Sequence, residues 1–481
     1  MQRKELLYRK GCNQIIEDMK QFYIYILLCL LFFSCTDRKD DLSRALEAAG
    51  TNRAEMEKVL HYYENDRLKW QAAVFLIENM PYHFGYDCNY RQIPDITALS
   101  ADYLIENIDL AFQVWPKPWN RTHSFTDFCR YILPYRCLYE PASRMRKLFM
   151  ETYLPLLDSL QPKTSLEAAR IIHSQLHLTF MEGVPRNYPT VEEIYQTRTG
   201  KCDGMLLLST HIMRAVGIPA MVDYTQWPQR DGDHYWGNIL NNDGECFPYA
   251  PENEPPSELK PHLTQQFLTP AVVYRYEFAP FLNQAHAFSD SYRTPLKNPL
   301  LRVVTNEYLA PTFDIRVNCD YPTSHPQGLV YLCNYNNRQW RPLVIGERIG
   351  EICRFADIVG DNIFIVAEEN AIYPGTLQYI TCPFYVDSCG ILHKFQMQKG
   401  AGSLYIPKEQ EKYADVLQTL TYWDMEEKRF IHFNYLCDTL VNGYFLRNVP
   451  SNSLLRALID KKGKMGGERI FFIQNDTIRR Y

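Results

Sequence analysis

Hydrophobic positions in the first third of the chain recur every three to four residues, the spacing of one face of an α-helix. The pattern begins near residue 41, and its last part, Trp70–Met80, is almost continuously apolar. It resumes over 100–180, interrupted by prolines, which helix interiors tolerate poorly. We therefore predict a helical N-terminal region over residues 36–150. The positions that carry the first part are Leu42, Leu46, Ala49, Met56, Val59, Leu60 and Tyr63, and the interrupting prolines are Pro116, Pro118 and Pro134.

The segment 185–255 has a different pattern, in which an apolar stretch of helical length is followed by strand-like stretches. MLLLSTHIMRAV predicts a helix, which Gly217 would end as a C-cap and Pro219 would keep from continuing. AMVDYT predicts a buried strand. HYWGNIL and ECFPYA predict a hairpin around the turn Asn241–Gly244. We assign this segment to a core domain over residues 151–300.

Beyond residue 300 the helical spacing gives way to short apolar runs separated by turn residues. FDIRVNC, GLVYLCNY, RPLVIG, NIFIVAEE and LQYITCPFYV predict strands of a β-sandwich-like domain over 301–400. TYWDMEEKRFIHF, GYFLRNVP and RIFFIQNDTIRRY predict a smaller β-rich domain over 401–481. The fold class that follows is α+β, with helices first, a mixed core and β-domains last.

A separate apolar run, Phe22–Phe33, follows Met19-Lys20 and ends at Ser34-Cys35. It is too short to span a bilayer as a helix, and its positive start and small final residue are typical of a secretory signal. The Ser-Cys junction resembles the lipobox of bacterial lipoproteins, which implies a lipid on Cys35. We expect residues 1–35 to be a signal segment and the chain to be anchored in the cell envelope. A buried helix or an uncleaved anchor is the alternative, and translation starting at Met19 stays open.

Composition narrows the functions further. The 481 residues carry 51 Lys and Arg against 56 Asp and Glu, so there is no basic surplus to neutralise phosphates, and we expect no nucleic-acid partner. The 14 cysteines form no CxxC pair and no zinc-ligand spacing, so no metal and no cofactor is predicted. For Cys382 and Cys389, a disulfide and two free thiols are both open.

One cysteine stands where chemistry is expected. Gly200-Lys201-Cys202-Asp203-Gly204 comes directly before the apolar helix, and a cysteine at a helix N-terminus is favoured as a thiolate. His234 starts the next strand but one, and the hairpin that returns this strand ends near Glu252. A helix that faces a sheet can bring a thiolate and an imidazole together. We therefore predict Cys202 as nucleophile, His234 as general base and Glu252 as the group that orients the imidazole.

These segments carry a family resemblance. GKCDGMLLLSTHIMRAVGIPAMV resembles the nucleophile helix of transglutaminase-like proteins, and DHYWGNIL is similar to their histidine strand. With its appended β-domains, the chain resembles transglutaminase-domain lipoproteins of Bacteroidetes. The resemblance implies a papain-like core and Cys–His thiol chemistry. It departs from the family at Ala250-Pro251, where many members have Asp before Pro. Glu252, Asn253 or Glu254 is then left to take the orienting role.

Other candidates have a structural explanation beside a functional one. Gln196 matches the spacing of an oxyanion-hole glutamine, but a solvated helix end explains it better. Trp227 and Trp236 fit a substrate cleft or a core. His211 falls on the helix face opposite Cys202, which indicates a structural role. Asp203 is explained as a helix-start charge. Trp340 and Trp423 fit either sugar stacking or core packing.

Two functions follow from the sequence. The first is a thiol enzyme acting on peptide or carboxamide bonds, a peptidase or amidase if water resolves the acyl-enzyme and an acyltransferase if an amine does. The second is a catalytically degenerate module that binds a glycan or a peptide. Both place a lipid-anchored protein at the outer membrane, on its periplasmic or surface face, with the substrate and the oligomeric state left open.

Overall fold

The computed structural model describes residues 41–480. The exceptions are 88, 182–188, 228–232, 258–269, 282–293, 309–310, 325–326, 337, 396–397, 408–415, 441–442, 461–467 and 475–476. The predicted signal segment with Cys35 lies outside the described residues. The chain divides into two compact units, Met1–Gln113 and Val114–Tyr481. Across the described ranges, we find no helix with the length and apolar character that crossing a membrane requires.

The first unit is helical, as the spacing of its apolar residues predicts. Met56 and Val59 are buried on one helix, and Leu76 and Ile77 on the next. Asp66 caps the second of these, since its carboxylate accepts the N–H of Lys69. The helices are residues 41–48 (α1), Arg53–Tyr62 (α2), Arg67–Asn79 (α3), Asp95–Ala98 (α4) and Ala101–Val114 (α5), with 3₁₀ turns at Gly50–Asn52 and Met80–Tyr82 and a hairpin of Phe84–Tyr86 (β1) and Gln92–Pro94 (β2).

The second unit begins with helices that fall on both sides of the predicted domain boundary at residue 150. They are Phe125–Tyr131 (α6), Arg146–Leu160 (α7), Ser165–His173 (α8) and Val191–Thr197 (α9), with a 3₁₀ turn at Pro118–Asn120. Two short parallel strands, Thr179–Phe180 (β3) and Thr199–Gly200 (β4), come before the long helix Cys202–Ala215 (α10). The predicted end of this helix is confirmed, because Gly217 has a φ of 82° that side chains rarely adopt.

An antiparallel sheet lies beside α10 in the strand order β7-β6-β5-β8-β9. Its strands are Ala220–Gln226 (β5), Asp233–Leu240 (β6), Cys246–Tyr249 (β7), Tyr274–Tyr276 (β8) and Leu301–Val303 (β9). The predicted hairpin is confirmed between β6 and β7, where the N–H of Asn241 donates to the carbonyl of Glu245 at 2.8 Å. Pro295–Lys297 is a 3₁₀ turn, and Thr305–Tyr308 (α11) follows the sheet.

The face of this sheet that meets α10 is fixed by one close contact. Gly237 of β6 pairs with Tyr249 of β7, and a Cβ at Gly237 would lie only 2.1 Å from the Tyr249 ring. The Tyr249 hydroxyl in turn lies 3.0 Å from the hydroxyl of Ser209 on α10. Since side chains alternate along a strand, Tyr235, Gly237 and Tyr249 share the face toward the helix.

The predicted β-rich character beyond residue 300 is confirmed. A second antiparallel sheet has the order β10-β13-β12-β11-β14-β16-β17, with β15 paired to β14. Its strands are Thr312–Asn318 (β10), Gln327–Asn336 (β11), Gln339–Ile349 (β12), Ile352–Val359 (β13), Asn362–Glu369 (β14), Leu377–Tyr379 (β15), Phe384–Val386 (β16) and Leu392–Lys394 (β17). Cys382 and Cys389 are both free thiols.

This second sheet is covered on both faces. On β11, Val330 and Leu332 pack into a cluster with residues of the first sheet, whereas Cys333 packs with the C-terminal strands. Trp340 and Trp423 are buried in the latter cluster, at ring centroids 5.9 Å apart, so both are core residues. The C-terminal strands are Gln398–Pro407 (β18), Val416–Asp424 (β19), Arg429–His432 (β20), Leu436–Leu440 (β21), Gly443–Ser451 (β22), Leu455–Asp460 (β23), Glu468–Gln474 (β24) and Thr477–Arg480 (β25), in sheets β18-β22-β21 and β20-β19-β23-β24-β25. The fold is therefore of the α+β class, with helices and many antiparallel sheets.

Candidate functional site

Cys202 is the first residue of α10, as the sequence predicts, and is partly exposed. Lys201 before it has an extended backbone and its carbonyl accepts the N–H of Met205, which starts the helix. Gly200 and Gly204 lie close to Ile194 of α9, which would be 3.2 Å from a Cβ at either position. These glycines let α9 pack against the start of α10 and hold the thiol at the edge of the sheet.

The surroundings of Cys202 oppose its ionisation. Burial and the neighbouring Asp203 carboxylate raise the pKa of the Cys202 thiol to about 11, although the backbone N–H groups of Tyr235 and Asp203 act in the other direction. Glu252 adds a further negative charge that raises the pKa. This is the opposite of the depressed pKa that a helix N-terminus favours. At neutral pH the sulfur is a thiol that accepts a hydrogen bond from Tyr235.

His234 lies one residue from Tyr235 on β6, and strand alternation turns it to the other face of the sheet. Its ring is stacked 5.8 Å from the ring of Trp227 and lies 5.7 Å from that of Trp236. Both tryptophans are buried in a cluster with Val273, so they are core residues. The structure thus places the backbone N–H of Tyr235 beside the Cys202 sulfur. The catalytic role of His234 stays a prediction.

The end of the hairpin also lies beside a different histidine, His173 of α8. Glu252 acts electrostatically on both Cys202 and His173 of α8. The Nε2 of His173 lies 3.0 Å from the carbonyl of Ala250. Burial lowers the pKa of His173, although Ala250 and Glu252 oppose the shift. Glu252 is therefore close enough to both Cys202 and His173 to affect their ionisation, and its predicted orienting role stays a prediction.

A pocket of about 130 Å³ opens beside Cys202. Its floor on α10 is formed by Asp203, Gly204 and Leu207, and burial raises the pKa of the Asp203 carboxyl. Aromatic rings form much of the wall, and those of Tyr235 and Tyr276 are stacked 6.4 Å apart. The remaining lining residues are Leu138, Tyr139, Glu140 and Pro189.

The structure also locates Gln196 and His211, for which the sequence analysis favoured a structural explanation. Gln196 is exposed near the end of α9, which agrees with a solvated helix end. His211 lies on α10 away from Cys202, as predicted, and its Nε2 is 2.9 Å from a carboxylate oxygen of Glu140. The ligand atoms of Cys137, Glu140 and His211 all lie within 4.8 Å of one another, so within the described residues this cluster is a group that could hold a metal.

Three contributors to the region were not predicted as site residues: Tyr235, His173 and Glu140. His173 and Glu140 lie upstream of the motif, in segments whose apolar pattern carries no sign of chemistry. Tyr235 belongs to the histidine-strand segment itself, next to His234. For His173 and Glu140 the local sequence holds no signal that we recognise.

Comparison with known proteins adds little. No family model and no curated protein sequence matches the chain. A solved structure from Cytophaga hutchinsonii, provisionally named a cysteine protease, aligns with a TM-score of 0.21 and 13% sequence identity. The alignment covers 27% of this chain and 41% of that one. A likeness of this extent is too small to carry a fold or an activity over to this protein.

Proposed function

We propose that this protein is a lipid-anchored binding module whose transglutaminase-like core has lost thiol catalysis and holds an amine-bearing group of a peptide. One observation carries the proposal. The positions of β6 and β7 that face α10 are Tyr235 and Tyr249, whereas the His234 ring lies between two buried tryptophans. With its pKa raised to about 11, the Cys202 thiol is a poor nucleophile at neutral pH.

The pocket beside Cys202 supports the choice of ligand. Asp203 supplies a carboxylate, and Tyr139, Tyr235 and Tyr276 supply ring faces. An ammonium group is attracted by both kinds of neighbour. At about 130 Å³ the pocket is smaller than sites that enclose whole drug-sized ligands, so it suits a single side chain. A lysine side chain or a peptide N-terminus meets these conditions, while a neutral sugar would use only the rings.

Calorimetric titration tests the proposal with matched small ligands, Nα-acetyl-lysine methylamide and its uncharged analogue Nα-acetyl-norleucine methylamide. We expect the lysine compound to bind at least tenfold more tightly, and Asp203→Asn to remove that preference because it removes a pocket charge without changing the shape. Gln196→Ala, an exposed change outside the pocket, is the matched control and should bind as the wild type does. Equal affinity for both ligands, or preference for oligosaccharides, would contradict the peptide assignment.

The thiol enzyme remains the second candidate, because Cys202 starts α10 and the N–H of Tyr235 is directed at its sulfur, an arrangement that also suits an oxyanion. A cysteine-directed acyl probe, with the modified residue identified by mass spectrometry, separates the two functions. Binding alone predicts that Cys202 is labelled slowly at pH 6. Rapid labelling at pH 6 that Cys202→Ala abolishes, or peptide hydrolysis lost in the same variant, would establish the enzyme instead.

Anchoring through Cys35 is part of the proposal and has its own test. The sequence Ser34-Cys35 after an apolar run supports cleavage before Cys35 and acylation of its sulfur. In a bacterial host fed an alkyne fatty acid, we expect the wild-type chain to be labelled and to sediment with membranes. Cys35→Ser should be unlabelled, and an equally labelled variant would exclude this anchor.

A further inference from the structure

One end of the second sheet holds large apolar side chains in solvent. The turn between β14 and β15 has Ile372 and Tyr373 at its tip, and these side chains are 77% and 65% exposed. They are the most exposed large apolar residues in the part of the chain that the structure describes. Isolated exposed apolar residues are ordinary, but two in succession at one tip indicate a contact outside the chain.

The polar groups of the turn hold this tip in shape. The Oδ1 atom of Asn370 accepts the N–H groups of Ile372 and Tyr373, at 2.9 and 3.2 Å. A carboxylate oxygen of Glu369 accepts the N–H of Gly375 at 2.9 Å. The tip is therefore ordered before it meets a partner, so binding through it costs little conformational entropy.

The strand register brings three further apolar residues to the same end of the sheet. Tyr331 of β11 pairs with Ala367 of β14, so Leu329 at the start of β11 lies at the end where the β14–β15 turn projects. β12 finishes and β13 begins at this end, where Ile349 and Ile352 pair with each other. Leu329, Ile349 and Ile352 are 49%, 55% and 38% exposed.

A row of charged side chains adjoins these apolar residues. Arg316, Arg354, Glu347 and Leu329 lie side by side across β10, β13, β12 and β11, each directly paired with the next. Directly paired residues share a face of the sheet, and Ile349 shares it because it is two residues from Glu347. All of these side chains are exposed.

The two arginines of this row are left unneutralised. Arg316 and Arg354 are directly opposite each other, and within the described residues neither forms an ion pair, not even Arg354 with the neighbouring Glu347. Like charges directly opposite each other destabilise a sheet. The pair therefore favours an anionic group from outside the chain, and guanidinium groups are well suited to phosphate.

We propose that this end of the second sheet docks on a phospholipid bilayer. Ile372 and Tyr373 enter the boundary between headgroups and acyl chains, where a ring with a polar hydroxyl is well placed. Arg316 and Arg354 donate to headgroup phosphates. Membrane binding of this kind grows with the apolar area inserted and with the attraction to anionic lipid.

The size and shape of the surface favour a bilayer over a protein partner. A stable protein interface takes roughly 20–30 residues on each side, whereas this surface offers five apolar residues and two unpaired arginines. A projecting tip would also need a matching pocket in a protein partner, while a fluid bilayer closes around it. The docking does not depend on an acyl chain at Cys35 or on a ligand beside Cys202.

Vesicle co-sedimentation tests the proposal on the chain from residue 36 onward, which carries no acyl group and keeps every residue that the structure describes. The vesicles are phosphatidylcholine, with or without about a third of phosphatidylglycerol. We expect binding to both, at least threefold tighter with the anionic lipid, since each arginine near an anionic surface contributes up to about fivefold. Ile372→Ser combined with Tyr373→Ser should weaken binding to both vesicles at least tenfold. Arg316→Gln combined with Arg354→Gln should remove the preference for phosphatidylglycerol.

Ile391→Ser is the matched control for the apolar tip. Ile391 is 58% exposed on the turn between β16 and β17, and the pairing of Asn362 with Val386 places this turn at the opposite end of the sheet. This variant should bind vesicles as the wild type does. Failure of the wild type to sediment with vesicles, or equal loss in both isoleucine variants, would overturn the proposal. So would a dimer in the absence of lipid that Ile372→Ser dissociates, because it would assign the surface to a second copy of the chain.

Amide hydrogen exchange on the wild-type chain needs no variant. We expect vesicles to slow exchange at least threefold in residues 349–352 and 370–376 and to leave residues 387–391 unchanged. Uniform slowing over all three segments, or none in the first two, would contradict docking through this end of the sheet.

Discussion

Two thiols lie against the same helix, and their surroundings are opposite. Cys202 occupies the helix N-terminus, the position that sequence rules associate with reactivity, yet burial and Asp203 raise its pKa to about 11. Cys137 sits on an irregular segment with no motif, yet it has the imidazole of His211 and the guanidinium of Arg214 beside it. The charges around a sulfur therefore influence its chemistry more than its place on a helix does.

The reason is that a helix dipole and a charged side chain differ in the size of the charge they place near a sulfur. The helix terminus acts as about half of an elementary charge, whereas a neighbouring carboxylate carries a full one. At Cys202 the site is largely buried and the full negative charge of Asp203 is adjacent in sequence. Together they destabilise the thiolate. At Cys137 the nearest formal charges include two cations. Changing these charges one at a time tests whether they cause the difference between the two thiols.

The largest effect we expect is the pH dependence of stability that the Glu140–His211 pair causes. The folded-state pKa of Glu140 lies below its ordinary 4.5, at about 2. Its stabilising contribution is therefore complete above pH 4.5 and is lost as the pH falls toward 2, by about 3 kcal/mol. His211 is raised from 6.5 to about 9, so its contribution is complete below pH 6.5 and is lost as the pH rises through 9.

Urea unfolding between pH 3 and 10 measures the loss of stability at both the acidic and the alkaline end. We expect the free energy of unfolding to be highest between about pH 5 and 6.5. In His211→Gln the alkaline decline should shrink, because the group that titrates there is gone. A change at the other thiol, Cys202→Ser, should leave the acidic and the alkaline decline in stability unchanged. If the free energy of unfolding of His211→Gln depended on pH as that of the wild type does, the Glu140–His211 pair would not be the cause of that dependence.

The next effect concerns the sheet face beside Cys202. Gly237→Ala puts a methyl group where the Tyr249 ring lies, at 2.1 Å, and Tyr249 is buried and bonded to Ser209. Forced repacking of this kind costs about 1–3 kcal/mol. Gly328→Ala is the control, since nothing lies within 4 Å of its Cβ position. Thermal unfolding should show a lower midpoint for the first variant only. Equal midpoints would mean that Tyr249 does not pack over β6.

Much of the fold follows from local pattern. The spacing of apolar residues predicted the helices of the first unit, Gly217 marked the end of α10, and Asn241–Gly244 marked the hairpin. Each depends on residues close in sequence. The face of β6 that meets α10 does not, because a shift of one residue exchanges every side chain between the two faces. The pairing of Gly237 with Tyr249 places Tyr235 on the face toward the helix, and the role that the motif gives to His234 stays a prediction.

The two candidate sites also differ in whether local sequence predicts them. Cys202 at the start of α10 was predictable from the residues around it, and so was its closeness to the end of the hairpin at Glu252. The Cys137 cluster was not, since Glu140 and His211 meet only when the segment between α6 and α7 packs across α10. No local pattern encodes that crossing.

A smaller effect tests the charge that separates the two thiols. Asp203→Asn keeps the shape of the side chain and the acceptor for the N–H of Gly204, but it removes the charge that, after burial, contributes most to raising the pKa of Cys202. We expect iodoacetamide labelling of Cys202 at pH 8 to rise by up to about tenfold, equivalent to one pKa unit. Labelling of Cys137 in the same sample is the control and should not change. An unchanged Cys202 rate would assign the whole effect to burial.

The smallest effect should come from Gln196, and its size decides between the two functions. An oxyanion-hole donor contributes about 10²–10³ in rate when it is removed from an enzyme. Gln196 is exposed near the end of α9, and surface changes of this kind alter stability by about 0.5 kcal/mol or less. For a binding module, Gln196→Ala should leave acyl-probe labelling of Cys202 and peptide affinity as they are in the wild type. A hundredfold loss of labelling would place Gln196 at a working thiol site, and the contrast between Cys202 and Cys137 would then reflect the ligand-free state of an enzyme.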